Sequence, residues 1–169
     1  GDPAGCLSAE VLVEDMPDDP TRQELYSLLP LWEDPESMRI ALAGVLKEPT
    51  VGWASGARSA LGGFLDHEAV TEAVLDALDD APEDRRHLLI SSVTEPTPAA
   101  IERLRAEVAA GARGAAAWRL LDLGGPAALE ELRGVLSVPN HPARAAVLAE
   151  MHVRLGPDPA PFLALADDA

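Results

Sequence analysis

Val51–Asp80, VGWASGARSALGGFLDHEAVTEAVLDALDD, reads as two short helices joined by a tight turn. In the first half, Ala57, Ala60, Leu61, Phe64 and Leu65 fall at i, i+3, i+4, i+7 and i+8, the apolar stripe of an amphipathic helix. Asp66-His67-Glu68 interrupts that stripe and offers an acid to cap the next helix. In the second half Val70, Val74, Leu75 and Leu78 share one face, while Glu72, Asp76 and Asp79 fall largely on the other. Gly62-Gly63 reads as lying inside the first helix, where each glycine costs about 1 kcal/mol relative to alanine and admits a close neighbour. A hairpin this small cannot bury its own stripe. It needs further hairpins to pack on.

Those hairpins are visible on either side. The second helices align as SMRIALAGVL (Ser37–Leu46), AVTEAVLDAL (Ala69–Leu78), AAIERLRAEV (Ala99–Val108) and AALEELRGVL (Ala127–Leu136). Their sixth positions are Leu42, Val74, Leu104 and Leu132, and their tenth positions are Leu46, Leu78, Val108 and Leu136. A weaker copy, PAPFLALADD, starts at Pro159, so successive spacings are 32, 30, 28 and 32 residues. A period of about 30 belongs to helical-repeat solenoids. First helices keep the same beat at Pro20–Trp32, Val51–Leu65, Pro82–Val93, Ala112–Leu123 and Pro142–Leu155. Pro30 is expected to kink or end the first of them. Gly124-Gly125-Pro126 is expected to end one helix and begin the next. The expected fold is therefore all-α, a right-handed solenoid of about five hairpins at 20–49, 50–81, 82–110, 111–139 and 140–169. Residues 1–19 stand before it as an arm or cap.

GARSALGGFLDHEAVTEAVLDAL, ARGAAAWRLLDLGGPAALEELRGVL and PARAAVLAEMHVRLGPDPAPFLAL carry a basic residue early in the first helix, small residues, a Gly or Asp turn, and an apolar second helix. In this the chain resembles the HEAT-like repeat family, especially the short bacterial form also seen in phycobilin lyases. The resemblance covers roughly Pro20 to Asp168. It implies the solenoid, and functions that range over scaffolds, adaptors, inhibitors and a few enzymes.

Composition narrows the function. At 169 residues with 47% apolar and 4% aromatic content, the chain fits one domain of closely stacked, Ala- and Leu-rich helices. A formal net charge of −16 argues against nucleic-acid phosphates and anionic membrane surfaces, and favours a basic partner. No apolar run of the length that spans a bilayer occurs. The first residues lack the basic and apolar regions of a signal peptide. A cytoplasmic protein is the expectation, with an envelope-associated lipoprotein as the alternative.

That alternative rests on Cys6, the single cysteine. Ala4-Gly5-Cys6 resembles a lipoprotein cleavage box, but Pro3 stands where leucine is usual and residues before the cysteine remain. A plain cysteine near a chain end is the favoured reading, and one cysteine excludes an intramolecular disulfide or a Cys cluster. Asp15, Asp18 and Asp19 do not continue into a calcium-loop register.

Candidate chemistry is sparse. His67, His87, His141 and His152 show no zinc-ligand spacing, and neither a nucleophile elbow nor a phosphate loop is present. No catalytic residue, metal ligand or cofactor is assigned. Arg58, Arg86, Arg113 and Arg144 recur near the starts of successive first helices. They read as a structural ladder pairing with acids of the preceding helix, or else as an anion-binding row for an acidic peptide or bilin propionates. From Asp66 to Asp84 the chain places Asp66, Glu68, Glu72, Asp76, Asp79, Asp80, Glu83 and Asp84 with no lysine or arginine among them. A basic partner could neutralise that run, although a solvated helix face is the plainer reading. Of Trp32, Trp53 and Trp118, Trp53 sits at a helix start and is the best anchor candidate.

The resulting expectation is a non-catalytic interaction scaffold or adaptor, in one form an inhibitor or immunity protein. It would bind a protein partner through Trp53, Asp66, Glu68, Glu72, Asp76, Asp79 and Asp80. The rivals are a tetrapyrrole-binding lyase or isomerase and a lipid-anchored envelope scaffold.

Overall fold

The computed structural model describes residues 20–111 and 114–155, and the regular structure among them is helical throughout. Eight α-helices follow in order: α1 (Pro20–Leu28), α2 (Pro35–Lys47), α3 (Val51–Leu61), α4 (His67–Leu78), α5 (Glu83–Ser92), α6 (Pro98–Ala109), α7 (Gly114–Ser137) and α8 (Arg144–Leu155). A 3-10 turn, Leu29–Leu31, continues α1. The arm, Cys6 and the aspartates at 15, 18 and 19 lie outside the described residues, as does Arg113.

Side chains start these helices where the sequence supplies an acceptor. Asp34 caps α2, taking the amides of Glu36 and Ser37 and the Ser37 hydroxyl, with Pro35 in the first turn. Thr50 caps α3 through the Trp53 amide, Asp66 caps α4 through that of Ala69, and Thr97 caps α6 through that of Ala100. Inside α7, Gly125 takes φ +58 and ψ −146 just before Pro126, so the element is two helices meeting at a sharp kink. A side chain at Gly125 would be strained there, and Pro126 is the favoured first residue of a new helix.

Two compact units divide the chain, one reaching Thr94 and the other starting at Glu95. This division falls inside the third expected hairpin. In the first unit α2 packs on α3, α3 on α1 and α5, and α4 on α5. Its core includes Tyr26, Leu29, Val45, Ala57, Leu61, Phe64, Val74, Leu78 and Leu89. In the second unit α6 packs on α7 and α7 on α8, around Leu104, Leu120, Leu132, Leu136 and Val147.

Helix registers follow the expected alignment with one shift. Val70, Val74 and Leu78 of α4 are buried at i, i+4 and i+8, as are Ala100, Leu104 and Val108 of α6 and Ala128, Leu132 and Leu136 of α7. In α2 the equivalent set is Ser37, Ala41 and Val45, one residue earlier than the alignment placed it, while Leu42 and Leu46 are half-buried. The cause is Gly44. A Cβ there would lie 2.6 Å from Tyr26 Cζ, so the Tyr26 ring lies against the bare backbone and selects the face that α2 presents.

The template hairpin also departs from its reading. Its first helix ends at Leu61 with Gly62 as C-cap, so the glycine pair terminates the helix and is not interior to it. Close approach does occur at Gly63, where a Cβ would lie 2.8 Å from Pro30 Cγ. The neighbour is thus the 3-10 turn and not a helix. Beyond the break Phe64 turns into the core, but Leu65 is left 73% exposed.

Candidate functional site

The acidic run resolves into one face and two ends of α4. Asp66 caps the N-terminus, and Glu68 lies in the first turn, where the helix dipole favours an acid. Glu68, Glu72 and Asp76 repeat at i, i+4 and i+8 and are exposed, on the side away from Val70, Val74 and Leu78. Among the described residues these three have no ion-pair partner. Asp79 is the C-cap and Asp80 follows it, two exposed acids at the end of the helix that favours cations. The helix dipole disfavours an acid there by up to about 1 kcal/mol when nothing offsets it. Arg86 offsets part of the cost by donating from Nη1 to the Leu78 carbonyl at 2.6 Å.

Trp53 stands half-buried at the start of α3, beside Val51, which is exposed. Trp118 is half-buried with the Arg119 guanidinium 4.4 Å from its ring centroid, a cation–π contact. The most exposed indole is Trp32, which the sequence reading left among the apolar residues of α1.

Of the four spaced arginines, Arg58, Arg86 and Arg144 are each half-buried. Arg86 donates to a helix carbonyl, and Glu107, six residues before Arg113, pairs with Arg103 at 3.1 Å within its own helix. The arginine that the fold buries is Arg85, one position from the recurring one.

Arg85 belongs to a polar cluster joining α1, α2 and α5. Glu48, at the C-cap of α2, is buried and accepts from the Tyr26 hydroxyl at 2.5 Å. Arg22 Nε lies 2.8 Å from the same carboxylate oxygen. Arg85 Nη2 donates to the Glu48 backbone carbonyl at 2.8 Å, and its Nε lies 3.4 Å from Asp84. Burial, and then the hydrogen bond to Glu48, raise the Tyr26 phenol well above the ordinary tyrosine range. The cluster holds α1 from Arg22 to Tyr26. It therefore fixes where the next residues point.

Those next residues form an apolar patch. Leu28 is 43% exposed, Leu31 76% and Trp32 53%: Leu28 ends α1 off the face that buries Tyr26, and the 3-10 turn at Pro30 leaves Leu31 and Trp32 outside. Glu33 follows with φ +46, a left-handed conformation that costs a non-glycine residue on the order of 1 kcal/mol. Exposed Leu65 lies two residues beyond Gly63, against which Pro30 is packed. Helical periodicity places Leu28 and Trp32 with Leu25 and Leu29 on the first helix's stripe, and Leu65 on the next one's. The available signal was Pro30, which ends a helix and so ends its periodicity.

Among the described residues no group of three His, Cys, Asp or Glu side chains is placed to hold a metal ion. No described helix is long and apolar enough to cross a membrane. Comparison with protein-family models, curated proteins and solved structures finds no match to this chain.

Proposed function

We propose that this chain is a non-catalytic protein–protein interaction module, a right-handed solenoid of HEAT-like hairpins that binds a basic protein partner on its acidic surface. The observation that carries the reading is the outer face of α4. There Glu68, Glu72 and Asp76 stand exposed in one row, with Asp79 and Asp80 set against the helix dipole. Trp53 stands at the start of α3 and Asp66 at the start of α4. An inhibitor or immunity protein acting on a basic target is one form this takes. Association would then be steered electrostatically and would weaken as salt rises.

The test is affinity capture of basic proteins from native lysate at low and at moderate salt, beside a Glu72→Lys, Asp76→Lys variant. Both positions are exposed and outside every buried contact, so the fold should survive. A partner held at low salt, released at higher salt and lost in the variant supports the reading. Equal capture by the variant removes it.

A further inference from the structure

We infer that Leu28, Leu31, Trp32 and Leu65 form the seat for a basic amphipathic helix of a partner protein, an inference that rests on the interaction reading above and names the partner's chemistry. Four large apolar side chains are exposed in one region of the first unit, joined through the Pro30–Gly63 contact. Leu28 closes α1, and Leu31 and Trp32 follow in and just after the 3-10 turn, so three exposed apolar side chains fall within five residues, surface of the kind an amphipathic helix covers.

Charge selects the occupant. Residues 20–94 carry thirteen acidic residues against six lysines and arginines. Glu24 lies one turn before Leu28, Glu33 follows Trp32, and Asp66 and Glu68 follow Leu65; all four are exposed. A second copy of this chain, with net charge −16, would bring like charge to that rim, and an anionic lipid surface would be repelled as well. A helix with leucine-type anchors on one face and lysine or arginine beside them meets both the apolar centre and the acidic rim.

The left-handed turn at Glu33 fits this arrangement, because it returns the chain into α2 directly after Trp32 and leaves the indole outside. Buried aromatic anchors within a polar rim are what concentrate binding energy at an interface.

The test uses a synthetic helix of about 18 residues, roughly five turns, with leucines at i, i+3, i+4 and i+7 and lysines elsewhere. A peptide of the same composition with leucines scattered around the helix is the control. Binding is measured by titration calorimetry and by indole emission in a Trp53→Phe, Trp118→Phe background that leaves Trp32 as reporter. The expected result is tighter binding of the amphipathic peptide with a blue shift of Trp32 emission. Leu31→Ser with Leu65→Ser should cost that peptide about tenfold or more in affinity and leave the control unchanged. If both peptides bind alike and the serine variant matches the parent, while Glu72→Lys with Asp76→Lys weakens both, the apolar seat is overturned and the acidic surface stands. If neither peptide binds at low salt, both readings fall.

Discussion

The two units are built from the same material, short capped helices rich in alanine and leucine, and they treat their charges in opposite ways. From Glu95 onward, arginines hold carboxylates side by side: Arg103 with Glu107, Arg105 with Glu131 at 2.8 Å, Arg119 with Asp122 at 3.5 Å, and Arg133 with Glu130. Its one exposed large apolar side chain among the described residues is Val138. Up to Thr94 acids are in excess. Residues 20–94 carry thirteen acids against six lysines and arginines; Arg39 pairs with Glu36 at the surface, while other arginines turn to buried or helix-end partners. Arg22 and Arg85 serve the Glu48 cluster and Arg86 serves the Leu78 carbonyl. Glu68, Glu72 and Asp76 of α4 are left facing water. Ion pairing accounts for the first pattern; exposed like charge of the second kind is what the proposed basic partner would relieve.

The interiors differ as well, and breaking them should give the largest effects. Glu48→Ala removes the acceptor of a buried hydroxyl and the partner of an arginine, so it should destabilise the protein by about 3–5 kcal/mol, read as a lower urea midpoint. Residue-resolved hydrogen exchange would place the loss on α1, α2 and α5. Glu107 of α6 is also buried, but its partner Arg103 is 28% exposed, so Glu107→Ala should cost only about 1 kcal/mol. Equal costs at the two positions would erase the distinction between a central polar cluster and a peripheral pair.

Alkaline pH examines the same cluster without mutation. Tyr26 is the only tyrosine, so tyrosinate absorbance reports on it alone. Its folded pKa is raised above the ordinary 10.0 by burial and then by the bond to Glu48. The sign follows. The fold holds the protonated phenol, so the stabilisation is complete below pH 10 and is lost as pH rises beyond it. Tyrosinate should therefore appear late and together with unfolding. In Glu48→Gln, which removes the carboxylate charge, it should appear at lower pH. Titration of Tyr26 near its ordinary value in the folded protein would contradict the buried hydrogen bond.

Gly44→Ala is smaller in scale. The added methyl meets the Tyr26 ring, and overpacking of this kind costs about 1–3 kcal/mol, measurable by thermal denaturation. A neutral result would mean that Tyr26 yields without loss, and that the ring does not set the register of α2.

Much of the helix order could be read from the chain, because apolar residues repeat at helical spacing and Asp34, Thr50, Asp66 and Thr97 stand where caps belong. The kink at Gly125-Pro126 was legible for the same reason: both residues have narrow backbone meaning. Errors came where periodicity was carried across a break. Trp32 and Leu65 fit stripes that continue through Pro30 and Gly62, but the helices end before them, and beyond an ended helix the spacing no longer predicts a face. The Glu48 cluster was illegible for a different reason. Tyr26, Glu48 and Arg85 are far apart in sequence and meet only through packing, and nothing local distinguishes Glu48 from any other acid after a helix.

The smallest effect separates the two surfaces most directly, because the sign differs and not only the size. Glu131 is half-exposed and bonded to Arg105 through both carboxylate oxygens, at 2.8 and 3.1 Å. Glu131→Gln should lose a few tenths to about 1 kcal/mol, the range of exposed pairs, and the loss should shrink in high salt. Asp76 stands among acids, with Glu72 one turn before it and Asp80 one turn after, and like charges at i, i+4 repel. Asp76→Asn should therefore leave stability unchanged or raise it by a few tenths of a kcal/mol, a gain that salt would also diminish. Paired denaturation curves at low and high salt would show both. If Asp76→Asn destabilised the protein as Glu131→Gln does, the α4 acids would be serving the fold, and their exposure would need no partner to explain it.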